Sequence, residues 1–248
     1  AFRVIGAPIK RNGDTALLRG RGRYVDDIHF PDMLHASFVR SPHPHALIRA
    51  IDATRAQALP GVVAVFTADD VPGRNQIGTI IEDEPLFATD TVHYIGQPVA
   101  VVVAASVVEA KEALSHILLE VEALPPVLDP REAAANGSLI CPARTISCGD
   151  VDAAWAACAT IIEGRVESGG QEHLYLETQA SLAIPEARDR LRIFAGTQSP
   201  SAVQSVIARV LGCPMHDIEV EVQRLGGAFG GKEDQATPWA VMAALAAR

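Results

Sequence analysis

Apolar residues in the first half of the chain occur in short runs that glycine and proline interrupt, a pattern typical of β-strands joined by turns. The run at 99–104 is apolar without a break, and it predicts a strand that is buried on both faces. Residues 74–90 have no period and many polar groups, and they predict a loop of low order. The strands predicted in this half lie at 34–39, 46–51, 61–67, 99–104 and 118–123.

A helix is predicted directly after the buried strand. Ser106 and Glu109 have the spacing of a capping box, in which the serine caps the first turn and the glutamate reaches back. The residues that follow continue this helix to about position 117. Because a strand, a helix and the strand at 118–123 follow one another, their order suggests a crossover connection.

The second half is separated from the first by a proline- and alanine-rich stretch at 124–137, which is a candidate linker. The final helix, from residue 237, is apolar on nearly every face and is therefore predicted to be buried on all sides. The other elements predicted here are helices at 151–159 and 200–211 and strands at 160–166, 180–184, 191–195 and 218–222.

Composition narrows the functional classes. Of the 248 residues, 48% are hydrophobic, which excludes intrinsic disorder, and the formal net charge of −9 argues against a nucleic-acid-binding surface. No apolar run approaches the ~18–20 residues that a membrane-spanning helix needs. The four cysteines form no CxxC pair, and residues 1–13 lack the apolar core of a signal peptide. We therefore expect a reduced, cytoplasmic protein.

A glycine-rich stretch at 226–231 lies between the last predicted strand and the last helix. Its four glycines permit backbone conformations that expose N–H groups, which would suit a phosphate or an oxo-anion. A plain tight turn is the alternative interpretation. The stretch also matches the GxxxxGK part of a P-loop, but Glu233 stands where Ser or Thr would hold Mg²⁺, which disfavours a nucleotide triphosphatase.

Two further segments carry polar side chains that could serve a site. Gln198 lies between a predicted strand end and a helix start, a place from which loop residues often reach a binding site. Residues 169–177 hold glutamine, histidine, tyrosine and two glutamates. A structural hydrogen-bonded network is the alternative interpretation for each of them, and for His173 it is the favoured one. The eight histidines show no metal-site spacing.

Together these segments resemble the molybdenum-binding subunit of the xanthine dehydrogenase and aldehyde oxidase family, specifically its N-terminal part. The resemblance covers essentially the whole chain, and the order and separation of the motifs make it specific. The motifs are LRGRGRYVDD at 18–27, VRSPH at 39–43, GVVAVF at 61–66, VHYIGQPV at 92–99, GDV at 149–151, GQEHLYLE at 170–177, TQ at 197–198 and GGAFGGKE at 226–233.

The resemblance implies an α+β fold, with an α/β hammerhead domain at 1–128 and the first part of a molybdopterin-binding α/β domain at 140–248. It implies a molybdenum hydroxylase that acts on a carbon next to nitrogen, or on an aldehyde carbon, with oxygen from water. The implied cofactor is molybdenum-molybdopterin. The implied partners are the remaining part of this subunit and the iron–sulfur and FAD subunits or domains, which carry 2Fe-2S clusters and FAD.

The resemblance also assigns roles to residues of this chain. Gln198 and Phe229 are expected near molybdenum, and Gly227 and Gly230 are expected in the cofactor-binding loop. Glu233 matches an acid that contacts purine substrates, which points to a purine or a related N-heterocycle.

The same resemblance marks two departures. Ala228 replaces a glycine of the commoner loop, which requires a negative φ at that residue. No glutamate here matches the family's catalytic base, so the chain alone is expected to be inactive. When expressed alone, it is also expected to aggregate through its apolar last helix. A non-catalytic scaffold or assembly subunit is the alternative, but Gln198, Phe229 and Glu233 together favour the enzyme.

Overall fold

The computed structural model describes residues 4–248, which form two compact units. The first unit comprises the chain up to Leu124 together with His173–Arg248, and the second is Pro125–Glu172. The sequence analysis found no apolar core of a signal peptide in residues 1–13, and residues 1–3 of this segment lie outside the described residues. The predicted domain limits, 1–128 and 140–248, do not coincide with the limits of these two units, and they stay a proposal.

Helices and strands are mixed along the chain, as the fold class α+β requires. The strands are β1 (His35–Arg40), β2 (Ala46–Asp52), β3 (Val62–Phe66), β4 (Thr91–Val92), β5 (Pro98–Ala104), β6 (Leu118–Ala123), β7 (Ser181–Glu186), β8 (Arg190–Ala195) and β9 (Ile218–Glu221). The helices are α1 (Asp14–Leu18), α2 (Thr54–Gln57), α3 (Val107–Leu114), α4 (Pro130–Ala135), α5 (Val151–Ala157), α6 (Pro200–Leu211) and α7 (Thr237–Ala246). Single 3₁₀ turns lie at Val25–Asp27, Ala68–Asp70, Ala187–Asp189 and Met215–Asp217.

The strands of the first unit form three sheets, in the orders β1-β5-β3, β4-β2-β6 and β7-β8-β9. The predicted crossover between β5 and β6 is wrong, because these two strands belong to different sheets. β5 has antiparallel neighbours on both edges, β1 and β3, so no edge of it remains for β6. β6 pairs with β2 instead, and α3 connects one sheet to another.

The capping box that begins α3 is confirmed, with one change. The Ser106 hydroxyl oxygen accepts a hydrogen bond from the Glu109 N–H at 3.2 Å. The Glu109 carboxylate, in return, accepts from the Ser106 hydroxyl at 2.8 Å. The helix ends at Leu114, three residues before the predicted position.

The segment at 74–90 forms neither a helix nor a strand, but its predicted low order is wrong for its second part. Leu86 and Phe87 are fully buried and belong to the main hydrophobic core. The Asn75 side chain fixes this part of the segment, because it donates to the Phe87 carbonyl at 2.8 Å and accepts from the Phe87 N–H at 3.0 Å. A short apolar run without a period therefore supplies core residues from within a loop.

The main core joins the strands of the first half to the helices of the second half. α7 contributes Ala240, Val241 and Met242, all fully buried, which confirms the predicted burial of this helix. The Phe38 ring of β1 meets the Trp239 ring of α7 edge to face, with 4.9 Å between the centroids. The helix that follows the glycine-rich stretch 226–231 is thus held by the same core as the sheet of the first half.

The second unit consists of α4, α5 and connecting segments, and its side chains are mostly exposed. α4 forms inside the predicted linker because Asp129 caps it, accepting from the Arg131 N–H at 2.8 Å, and Pro130 occupies its first position. The strand predicted at 160–166 is wrong, since those residues have no regular structure. No strand lies within this unit to pair with them.

Gly73 marks a close approach between the first half of the chain and the end of α6. Its N–H donates to the Val210 carbonyl at 2.8 Å. A Cβ at this position would lie 2.4 Å from the Arg209 carbonyl oxygen, and backbone atoms cannot move aside. We expect Gly73→Ala to lower the free energy of unfolding by about 3 kcal/mol in urea titration. Gly164→Ala, where a Cβ would meet nothing, is the control and should change it by less than about 0.5 kcal/mol.

Candidate functional site

The site is created by two parallel strands that end at the same edge of a sheet. β8 and β9 are parallel neighbours, so the segments that follow them emerge side by side. Gln198 follows β8, and residues 226–233, called here the glycine-rich loop, follow β9. The structure thereby brings together two of the predicted site segments, which lie far apart in sequence.

Gln198 is bound to the glycine-rich loop through both its backbone and its side chain. Its side-chain oxygen Oε1 accepts from the N–H groups of Gly230 at 3.1 Å and Lys232 at 3.3 Å. Its own N–H donates to the Lys232 carbonyl at 2.8 Å. Oε1 is thus occupied by two donors, and the Nε2 group of Gln198 has no hydrogen-bond acceptor within residues 4–248.

The conformation of the loop depends on its glycines. Gly227 and Gly230 have φ values of 103° and 88°, which side-chain-bearing residues rarely adopt. At position 231 glycine is required for space and not for its φ, because a Cβ there would lie 2.7 Å from the Tyr175 ring. The replacement of a glycine by Ala228 requires a negative φ at this position, and Ala228 indeed has no positive φ.

Phe229 presents its ring to solvent from the tip of the loop. Its side chain is 75% exposed, so it does not anchor the loop in the hydrophobic core. Its φ of 54° is unusual for a bulky residue and indicates backbone strain. Strain of this kind is often found where a loop is shaped for binding.

Lys232, the lysine of the P-loop-like pattern, cannot reach a ligand. Its side chain is 0% exposed, and Nζ lies 2.9 Å from Oε2 of Glu177. The ammonium group also lies 4.8 Å from the centroid of the Tyr175 ring. A P-loop lysine must contact phosphate, so this burial argues against a nucleotide triphosphatase as firmly as Glu233 does.

Residues 173–177 form the wall against which the loop packs, and a structural hydrogen-bonded network is found for Tyr175 and Glu177. His173, in contrast, is exposed and makes a ring contact with Tyr175 but no hydrogen bond within the part of the chain that the structure describes. The Glu177 N–H donates to the Gly226 carbonyl at 3.2 Å. Gln179 donates to the Tyr175 hydroxyl at 2.9 Å and to the Gly231 carbonyl at 3.2 Å. The sequence had no signal for the pairing of Lys232 with Glu177, because a lysine in a polar loop is usually exposed.

The far end of the loop is acidic. Glu233 is exposed, and Asp234 accepts a hydrogen bond from the Thr79 hydroxyl at 3.4 Å. Burial raises the pKa of Glu84 above its usual value, and the neighbouring charges of Asp234 and Asp83 raise it further. An anion would therefore be favoured at the glycines and not at the 233–234 end.

The donors of the site fit an anionic oxo group. In the described part of the chain, the N–H groups of Gly227, Ala228 and Phe229 have no hydrogen-bond acceptor, and neither has Gln198 Nε2. Successive backbone N–H groups in such a loop form an anion-binding concavity. The residues present thus suit the oxygen ligands of a molybdopterin centre, with neutral donors and without a lysine.

Comparison with known proteins identifies the class of this fold as a hammerhead domain followed by a molybdopterin cofactor-binding domain. Residues 19–125 match the family model described as "Aldehyde oxidase and xanthine dehydrogenase, a/b hammerhead domain", and residues 134–248 match the molybdopterin cofactor-binding domain. The chain therefore belongs to the xanthine dehydrogenase and aldehyde oxidase family, a family of molybdenum oxidoreductases whose iron–sulfur and FAD groups belong to other domains.

Individual relatives show the same affiliation. The chain is 36% identical to xanthine dehydrogenase of Dictyostelium discoideum and 39% identical to aldehyde oxidase 1 of Oryctolagus cuniculus, in each case over 98% of this chain. It spans 18% of the length of each of these relatives. The structure of quinoline 2-oxidoreductase from Pseudomonas putida 86 matches 97% of this chain and 33% of that chain, with a TM-score of 0.81 and 33% identity. Within residues 4–248, no helix has the length and apolar character needed to cross a membrane.

Proposed function

We propose that this chain is part of a molybdenum hydroxylase that acts on a purine or a related N-heterocycle. The observation that carries the proposal is the pairing of Gln198 with the glycine-rich loop, which leaves neutral donors free beside an exposed acid, Glu233. The relatives include both xanthine dehydrogenases and aldehyde oxidases, so the choice of substrate class rests on Glu233.

Each residue of the site has a defined task in this proposal. Gln198 Nε2 and the backbone N–H groups at 227–229 would donate hydrogen bonds to the bound cofactor, from an arrangement that the loop already fixes. When bound, molybdenum-molybdopterin supplies the oxygen-transfer and redox chemistry. The exposed ring of Phe229 would supply an apolar surface beside the bound cofactor, which would limit access of water.

Glu233 is the substrate-binding group of the proposal. Its carboxylate can accept a hydrogen bond from a ring N–H and can stabilise positive charge that develops on the heterocycle. The proton acceptor for the reaction is expected from the remaining part of the molybdenum-binding subunit. Iron–sulfur and FAD subunits or domains are the proposed route for electrons, and the cytoplasm is the proposed location.

The test compares two substrate classes in the assembled enzyme. We expect Glu233→Ala to lower kcat/KM for a purine by about 30-fold, which corresponds to the loss of one charged hydrogen bond of about 2 kcal/mol. Oxidation of an aldehyde, which has no ring N–H, should change by less than about three-fold. Glu219→Ala, which removes an exposed acid from β9, is the matched control and should affect neither substrate.

An equal effect of Glu233→Ala on both substrates, or no effect on either, would contradict the assignment of Glu233 to substrate. Molybdenum content per mole of this chain, measured on natively purified complex, tests the proposal at an earlier point. Absence of molybdenum with all partner chains bound would favour the scaffold or assembly subunit and overturn the proposed function.

A further inference from the structure

A single carboxylate oxygen holds both ends of the glycine-rich loop. Oε2 of Glu177 accepts from the Gly226 N–H at 2.7 Å, where the loop begins, and from the Lys232 ammonium at 2.9 Å, where it ends. The Tyr175 ring lies beside the same ammonium group, with 4.8 Å between Nζ and the ring centroid. The loop is therefore closed at its base by one ion pair.

This ion pair is buried, which makes it an unusual way to close a loop. The Lys232 side chain is fully buried and Glu177 nearly so, and the second carboxylate oxygen of Glu177, Oε1, is buried without a hydrogen-bond partner among the described residues. Removing charges from water is unfavourable, and a well-packed apolar pair would stabilise a fold equally well. The pair is thus better explained by the loop conformation that it fixes than by any stability that it adds.

The geometry that it imposes reaches Gln198 through the backbone of Lys232. The peptide groups on both sides of Lys232 contact the other half of the site: its N–H donates to Gln198 Oε1, and its carbonyl accepts from the Gln198 N–H and the Thr197 hydroxyl. Fixing the side chain of Lys232 therefore fixes the two peptide groups that orient the Gln198 amide.

We propose that Lys232 and Glu177 are positioning residues, which lock the glycine-rich loop so that Gln198 presents its Nε2 group to the cofactor. The inference rests on the proposed function for its consequence in catalysis. The positioning itself is a property of this chain and can be measured without turnover.

The experiment measures backbone hydrogen exchange of residues 226–233 in the assembled protein. The main variant is the double substitution Lys232→Met with Glu177→Gln, which removes both charges but keeps the length of both side chains and the acceptor for Gly226. We expect exchange at positions 230 and 232 to become about ten-fold faster, while the amides of α6 keep their protection. kcat should fall by a similar factor, with KM unchanged.

Two further variants keep the inference open to refutation. Glu177→Asp retains both charges but withdraws the carboxylate by one methylene group, and it should also accelerate loop exchange. Arg192→Met with Glu186→Gln removes an ion pair of the same 2.9 Å length from β8 and β7, and it should leave the loop unchanged.

Wild-type loop protection in both the double variant and Glu177→Asp would overturn the inference, because the pair would then serve stability alone. An inactive wild-type enzyme would count against the proposed function, and the exchange rates would still decide the role of the pair.

Discussion

Phe87→Ala is expected to lower the free energy of unfolding by about 3–5 kcal/mol, as much as a substitution in a central strand. Phe87 is 0% exposed and packs in the core that includes Val101 of β5 and Ile207 of α6. Removing its ring would leave a cavity between the two halves of the first unit. The measurement is urea unfolding followed by circular dichroism.

The control for this prediction lies in the same segment. Ile80 is 95% exposed, and Ile80→Ala should change the free energy of unfolding by less than about 0.5 kcal/mol. A small effect of Phe87→Ala, comparable to that of Ile80→Ala, would show that 74–90 is as loosely held as its sequence pattern suggests. A large difference would establish that this loop is part of the core.

Within the described residues, five of the six strands of the first half were predicted from the sequence, because their signal is local, and the two-residue β4 was not. In β5 the unbroken apolar run reports burial on both faces, and every residue of Pro98–Ala104 is indeed buried. The partners of a strand are not encoded in this way. The segment at 160–166 has the apolar residues of a strand, yet Ile162 is 89% exposed because nothing in its unit pairs with it.

The same limit applies to the site. Gln198 and the glycine-rich loop could be named from the sequence through the resemblance to a family, but their contact depends on the parallel pairing of β8 with β9. Lys232 and Glu177 are 55 positions apart, and each alone has the polar character of an exposed residue. Burial of both, and the shared oxygen that closes the loop, emerge only from the tertiary structure.

Gln198→Ala is expected to lower kcat of the assembled enzyme by about 10²–10³-fold, the usual effect of removing one preorganised donor from a site where charge develops. The substitution removes two functions at once: the Nε2 donor and the Oε1 acceptor that holds the N–H groups of Gly230 and Lys232. Turnover with a purine substrate and molybdenum content should be measured together.

Gln198→Glu separates these two functions. The carboxylate keeps an oxygen for Gly230 and Lys232, so loop protection in hydrogen exchange should stay as in the wild type, but it replaces the donor with a negative charge. Turnover should therefore fall at least as far as in Gln198→Ala. Gln204→Ala is the matched control, because Gln204 donates to the Ile218 carbonyl at 2.7 Å near the other end of β9. It should lower stability without changing kcat. Full activity of Gln198→Glu would remove the Nε2 donor from the mechanism and leave Gln198 as a support for the loop.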